Sequence, residues 1–134
     1  MAESASNMVR RLLERYERGG VEDMLKLLAP DAVFVVPPET SAEPDVYRGH
    51  EGARRYFAGF GGALDDVRFD LLDVHDESPE AALAVIRLSG HGSATRIPVE
   101  LTVVVTFLVR DGAVARIVAH PDVDSARKEV AGGL

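Results

Sequence analysis

Two pairs of side chains in the second half of the chain have the types and spacing to do chemistry. Arg87 and Glu100 interrupt otherwise apolar runs, and a turn centred on Ser93-Ala94 would set them opposite each other on neighbouring strands. So placed, the guanidinium would bind a carboxylate or enolate oxygen, and the carboxylate would orient it or move a proton. The same two residues at an exposed sheet edge would be a cross-strand ion pair worth less than ~1 kcal/mol. His120 and Asp122 stand two residues apart, a spacing that lets a carboxylate orient an imidazole as a general base. Asp122 suits equally well the cap of a following helix. The other histidines, His50, His75 and His91, stand at no HxH or HxxxH spacing, and no metal site is expected. No cofactor is expected either, since Gly49 and Gly52 lack the Lys-Ser or Lys-Thr that follows in a phosphate loop. Thr102 and Thr106 share a strand face and offer hydroxyls to a ligand, or serve β-propensity alone.

The elements that must position these groups follow from the apolar period. Val9, Leu12, Leu13 and Tyr16 recur at helical spacing, with Ser4 and Ser6 as candidate N-caps and Gly19-Gly20 as the stop. Val21, Met24, Leu25 and Leu28 repeat that spacing up to Pro30, so two short helices form a corner. Ala32 to Val36 reads as a strand closed by Pro37-Pro38, and Glu39 to Asp45 as an acidic loop. Ala53, Tyr56, Phe57 and Phe60 predict a third helix ending at Gly61-Gly62. Beyond it the period changes to that of strands at Val67–His75, Ala81–Ser89, Ile97–Arg110 and Ala113–Ala119. A last short helix follows from Asp122 to about Val130, ended by Gly132-Gly133. Helices first and a meander second favour an antiparallel α+β domain over alternating α/β.

Asp111-Gly112 is the strongest local signal, because a two-residue turn of this type fixes strand register. It places Leu108, Thr106 and Val104 opposite Ala115, Ile117 and Ala119 on one face. Phe107, Val105 and Val103 then face Arg116, Val118 and His120 on the other. Both faces are largely apolar, so each needs a cover, and three or four helices suffice for one. The Val104 face is assigned to the pocket. The outer face of Leu101, Val103, Val105, Phe107, Arg116 and Val118 is assigned to a homodimer.

The 134 residues (1–134) read as one domain with a single core. With 15 Lys and Arg against 22 Asp and Glu, the net charge of -7 repels phosphate backbones and anionic membrane surfaces. Nucleic acid and membrane are therefore not expected as partners. The chain has no cysteine, hence no disulfide or thiolate chemistry. Its polar start, MAESASN, is unlike a signal segment, and the longest apolar stretch, Leu101 to Val109, is too short to span a bilayer. A cytoplasmic location is the expectation.

YERGGVEDMLKLLAPDAVFVVP, VYRGHEGARRYF and IPVELTVVVTFLVRDGAVARIVAH, followed by PDVDSARKEVAGGL, together resemble the nuclear transport factor 2-like superfamily. Within it they resemble the SnoaL-like and ketosteroid-isomerase-like proteins. The resemblance implies a cone-shaped α+β (cystatin-like) fold, with three to four helices on one face of a strongly bent antiparallel sheet and a cavity between them. Ketosteroid isomerases use a carboxylate base and an oxyanion hole of a tyrosine and a protonated aspartate. The resemblance carries those polar positions, with a further tyrosine of the third helix, onto Leu12, Val36, Val104 and Phe57. Aliphatic and phenyl groups cannot abstract a proton beside a carbonyl, so the isomerase mechanism is not expected.

The reading that results is a SnoaL-like homodimer binding a small, mostly apolar molecule. Leu12, Tyr16, Phe34, Val36, Phe57, Thr102, Val104 and Thr106 would wall the pocket, with Arg87 and Glu100 at its polar end. The protein would hold that molecule or turn it over weakly as an isomerase, lyase or cyclase. The alternatives are a polyketide-cyclase-like or dehydratase-like enzyme using His120 and Asp122, and a non-enzymatic module recruiting another protein through its apolar sheet face.

Overall fold

The apolar spacing at the start of the chain forms helix α1 (Ala5–Met24), whose buried face carries Met8, Val9 and Leu12. Ser4 caps it, its Oγ accepting the Asn7 N–H at 3.2 Å. Ser6 has a different role: its N–H and hydroxyl bind the Asp76 carboxylate at 2.8 and 3.2 Å, tying the helix start to a distant strand. Gly20 adopts φ 72°, a left-handed conformation that suits glycine, and there α1 bends into the two arms expected from the sequence. A single 3-10 turn (Leu25–Leu27) leads into strand β1 (Leu28–Val36), so the helical period ends before Pro30, which already lies in the strand.

The remaining elements of the computed structural model are β2 (Asp45–Arg48), α2 (Gly49–Ala63), β3 (Leu64–Ser78), β4 (Ala81–Gly92), β5 (Pro98–Arg110), β6 (Ala113–His120) and α3 (Val123–Ala131). It describes residues 4–36 and 45–131. Most of the expected acidic loop, the closing Gly132-Gly133 and the side chain of Phe60 lie outside the described residues. Among the described residues no helix is long and apolar enough to cross a membrane.

The six strands are ordered β2-β1-β6-β5-β4-β3. All neighbours are antiparallel except β1 and β6, which run parallel because the chain crosses the helical layer between them. Strand β2 was not legible in the sequence: four residues are too short for alternation to show, and pairing with β1 at Phe34↔Tyr47 is what defines it. Register breaks in β3, at Asp65/Arg68, Leu71/Asp73 and Asp76/Ser78, bend that edge of the sheet.

The β5–β6 hairpin corrects the expected faces. Asp111 and Gly112 both have positive φ, 53° and 76°, as a tight hairpin turn requires, and the pairs next to the turn are those expected. The register then slips between Leu108 and Val109, where Ala115 is an extra residue. A one-residue bulge reverses the alternation beyond it. Phe107 therefore pairs with Ile117, Val105 with Ala119, and Val104 with His120.

The assignment of inside and outside is also the reverse of that expected. Val105 and Phe107 pack with Ala82, Ala84 and Ile86 into the main core under α1 and α2. Leu83 and Val104 lie on the other face, packed by Ala126 and Val123 of α3. Leu101, Val103, Val105 and Phe107 are thus no outer dimer surface, and only Arg116 and Val118 of that set share the Val104 face. Both faces are apolar, so composition could not choose between them. α3 supplies the second cover, which the sequence reading had given to a second copy of the chain.

Candidate functional site

Between α1, α2 and the inner sheet face lies a cavity of ≈ 420 Å³. Helix α1 contributes Leu12 and Tyr16, β1 contributes Phe34 and Val36, and α2 contributes Tyr56 and Phe57. The floor is aliphatic: Ile86 and Leu88 from β4, Leu101, Val103 and Val105 from β5, Ile117 and Ala119 from β6. Among the described residues no charged side chain lines it, and its polar side-chain groups are the phenols of Tyr16, Tyr47 and Tyr56.

The aromatic wall is built by mutual packing. Phe57 is its centre, with ring centroids 5.3 Å from Tyr16, 5.1 Å from Tyr56, 6.1 Å from Phe34 and 6.0 Å from Phe69. Three of these four contacts are edge-to-face, the arrangement that aromatic quadrupoles favour. Tyr47 joins through Tyr56 at 5.3 Å, and the Arg55 guanidinium covers the Tyr47 ring at 4.7 Å. These two tyrosines come from different elements, and Gly52 lets those elements meet. A Cβ at Gly52 would lie 2.9 Å from the Tyr47 carbonyl carbon. Interlocked rings of this kind preform the cavity.

Burial raises the Tyr16 phenol above its ordinary range. Burial, and next to it the neighbouring Tyr47 phenol, pushes Tyr56 up to about 12. At neutral pH both are therefore protonated hydrogen-bond donors. A stability consequence follows, with its sign. The unfolded chain loses the Tyr56 proton near 10 and the folded chain near 12, so stability is complete below pH 10 and falls as pH rises between those values. The expected loss by pH 12 is about 3 kcal/mol. Denaturant titrations across this range check it, and Tyr56→Phe should flatten the slope.

Five residues expected at the pocket, Leu12, Tyr16, Phe34, Val36 and Phe57, are on its wall. Thr102, Val104 and Thr106 are not, because β5 presents its odd-numbered side chains inward. Thr106 is fully buried on the opposite face, with its Oγ1 2.9 Å from Nε2 of the buried His120.

Arg87 and Glu100 are not opposite each other. The hairpin closes through Gly92 N–H to Ile97 O at 2.9 Å and Arg96 N–H to Gly92 O at 2.8 Å. Its centre therefore falls one residue later than expected, and the register moves by two. Arg87 pairs with Thr102 and contacts Asp70 at 3.7 Å, while Glu100 pairs with Ser89. All of these lie on the face away from the cavity. Asp122 gives its carboxylate to the Ser125 N–H at 2.7 Å, a helix cap that holds the carboxyl below its usual range. Neither pair with apparent chemistry in the sequence reaches the cavity.

The other histidines are structural in their contacts. His50 Nε2 lies 3.1 Å from the Leu28 carbonyl oxygen, His75 beside Glu77 at 3.3 Å, and His91 beside Asp66 at 3.7 Å. Sequence reasoning missed Tyr47 and Phe69 as wall residues. Tyr47 lies in a short strand hidden behind the acidic loop, and Phe69 lies on a strand whose bulges disrupt the period.

An α+β domain whose helices close an apolar, tyrosine-bearing cavity over a bent sheet is the class that this fold and site define. The chain belongs to the SnoaL-like family, the SnoaL-like domain matching residues 9–117. No curated protein sequence matches it significantly. Among solved structures it is similar to an NTF2-like protein from Burkholderia thailandensis, at 19% identity and TM-score 0.77, covering 94% of this chain and 98% of that one. It is also similar to a Mycobacterium tuberculosis protein, RV0760c, in complex with estradiol-17β-hemisuccinate, at 16% identity and TM-score 0.73, covering 91% and 97%. A third similar structure is TerC co-crystallised with polyporic acid, at 16% identity and TM-score 0.73, covering 91% and 94%. At these identities the likeness is one of fold.

Proposed function

We propose that the protein binds a small, uncharged, ring-containing molecule in the cavity under α1 and α2, with a phenol of the wall donating a hydrogen bond to an oxygen of that molecule. The observation that carries this reading is the lining itself: a space of ≈ 420 Å³ walled by aromatic and aliphatic side chains, with three tyrosines and, among the described residues, no charged group. Burying apolar ligand surface there is favourable at about 25 cal/mol per Å². Burying an ionised group without a partner costs several kcal/mol. The RV0760c structure in complex with estradiol-17β-hemisuccinate and the TerC structure with polyporic acid support small-molecule binding on this fold, while the preference for an uncharged ligand is argued from the lining of this cavity alone. The proposal is one of binding: among the described residues no carboxylate or imidazole lines the cavity.

Naphthol and naphthoate, which share the naphthyl ring and differ in charge, test it by titration calorimetry. Naphthol should bind, and naphthoate should bind at least about tenfold more weakly. Tyr16→Phe should weaken naphthol about fivefold, the worth of one neutral hydrogen bond. Equal binding of the two probes would remove the reading.

A further inference from the structure

We infer that the ligand is longer than the cavity, with an apolar chain that leaves through the mouth and lies along β5; this rests on the binding role proposed above. Among the described residues the apolar lining of the cavity continues to the protein surface. Leu101 belongs to its wall and is nevertheless 49% exposed. Val99, two residues back on the same face, is 37% exposed, and Ile97, immediately before β5 begins at Pro98, is 61% exposed. These are three of the five large hydrophobic residues exposed among those described, and they form one file. At about 3.4 Å per residue the file runs roughly 14 Å from the mouth toward the hairpin tip, the length of a chain of about ten carbons.

Its width says what covers it. On one side the neighbour of Val99 is Gly90, which adds no side chain and is closed over by the Asp65 backbone. On the other side β6 ends at His120, opposite Val104, so among the described residues this part of β5 has no strand beside it. A file one side chain wide matches a flexible hydrocarbon chain. A protein partner would need some 20–30 residues on each side. Continuity with the wall through Leu101 and Leu88, which pair with each other, makes cavity and file one apolar surface.

Ethyl, hexyl and decyl ethers of naphthol, followed by naphthyl fluorescence, test the inference. Affinity should rise with chain length, decyl binding on the order of a hundredfold tighter than ethyl, the gain for methylenes covered on one side. An Ile97→Ser/Val99→Ser double variant, with the cavity wall intact, should bind the ethyl ether like the parent and lose at least about tenfold of the decyl advantage. If the ethyl ether binds and length has no effect, or the double variant keeps the full decyl advantage, the extended ligand is wrong while the cavity reading stands. Failure of every ether to bind overturns the inference, and it overturns the cavity reading as well when naphthol itself fails to bind. A dimer in sedimentation that the double variant dissociates would assign the file to a second copy of the chain and overturn the inference.

Discussion

Phe107→Ala is expected to destabilise the protein by about 3–5 kcal/mol, a large share of a domain's total stability. Phe107 is 2% exposed and stands where core and cavity share a wall, pairing with Ile117 on one side and Ala82 on the other. Removing its ring deletes part of the core that β5 shares with α1. It also joins the new void to an existing one, so little collapse can offset the loss. The midpoint of thermal unfolding should fall by roughly 10–20 °C. Val118→Ala, on the opposite face under a smaller cover, should cost much less. Equal losses from the two would mean that the helix-covered face is not the main core.

Ala119→Phe should have the opposite pattern, a large effect on binding and a small one on stability. Ala119 is a small residue of the cavity floor beside Val105, so a ring built there fills space that a ligand would use. Displacing about 100 Å² of ligand contact removes about 2.5 kcal/mol, on the order of a hundredfold in affinity. Filling the void leaves the thermal midpoint unchanged or higher. Naphthol titration and a thermal melt measure the two sides. Undiminished naphthol binding by a folded Ala119→Phe protein would place the ligand somewhere other than this cavity.

The helices, the last four strands and the hairpin turn were legible because each rests on a local signal: a period, a cap, or a turn that needs positive φ. The inner helical side of the site was legible for the same reason, and Leu12, Tyr16 and Phe57 are where their spacing puts them. What failed depended on counting residues across a turn. One extra residue, Ala115, leaves the composition of β6 unchanged and alters the face of every residue after it. A loop centre displaced by one residue separated Arg87 from Glu100. Faces, unlike elements, carry no local signal when both sides of a strand are apolar. The choice between them was made by α3, whose few apolar residues gave no hint of which side they would take.

The bulge at Ala115 has a further consequence for the electroneutrality of the cavity. On an unbroken β6, Arg116 and His120 would share the face of Val105 and Phe107, and a guanidinium and an imidazole would greet whatever entered. The extra residue turns both outward and brings Ile117 and Ala119 in. Whether basic side chains of β6 enter this cavity is thus decided by the parity of a main-chain irregularity, and not by which residue types the strand contains. A relative with the same strand sequence and no bulge would have a guanidinium and an imidazole in its cavity within the same fold.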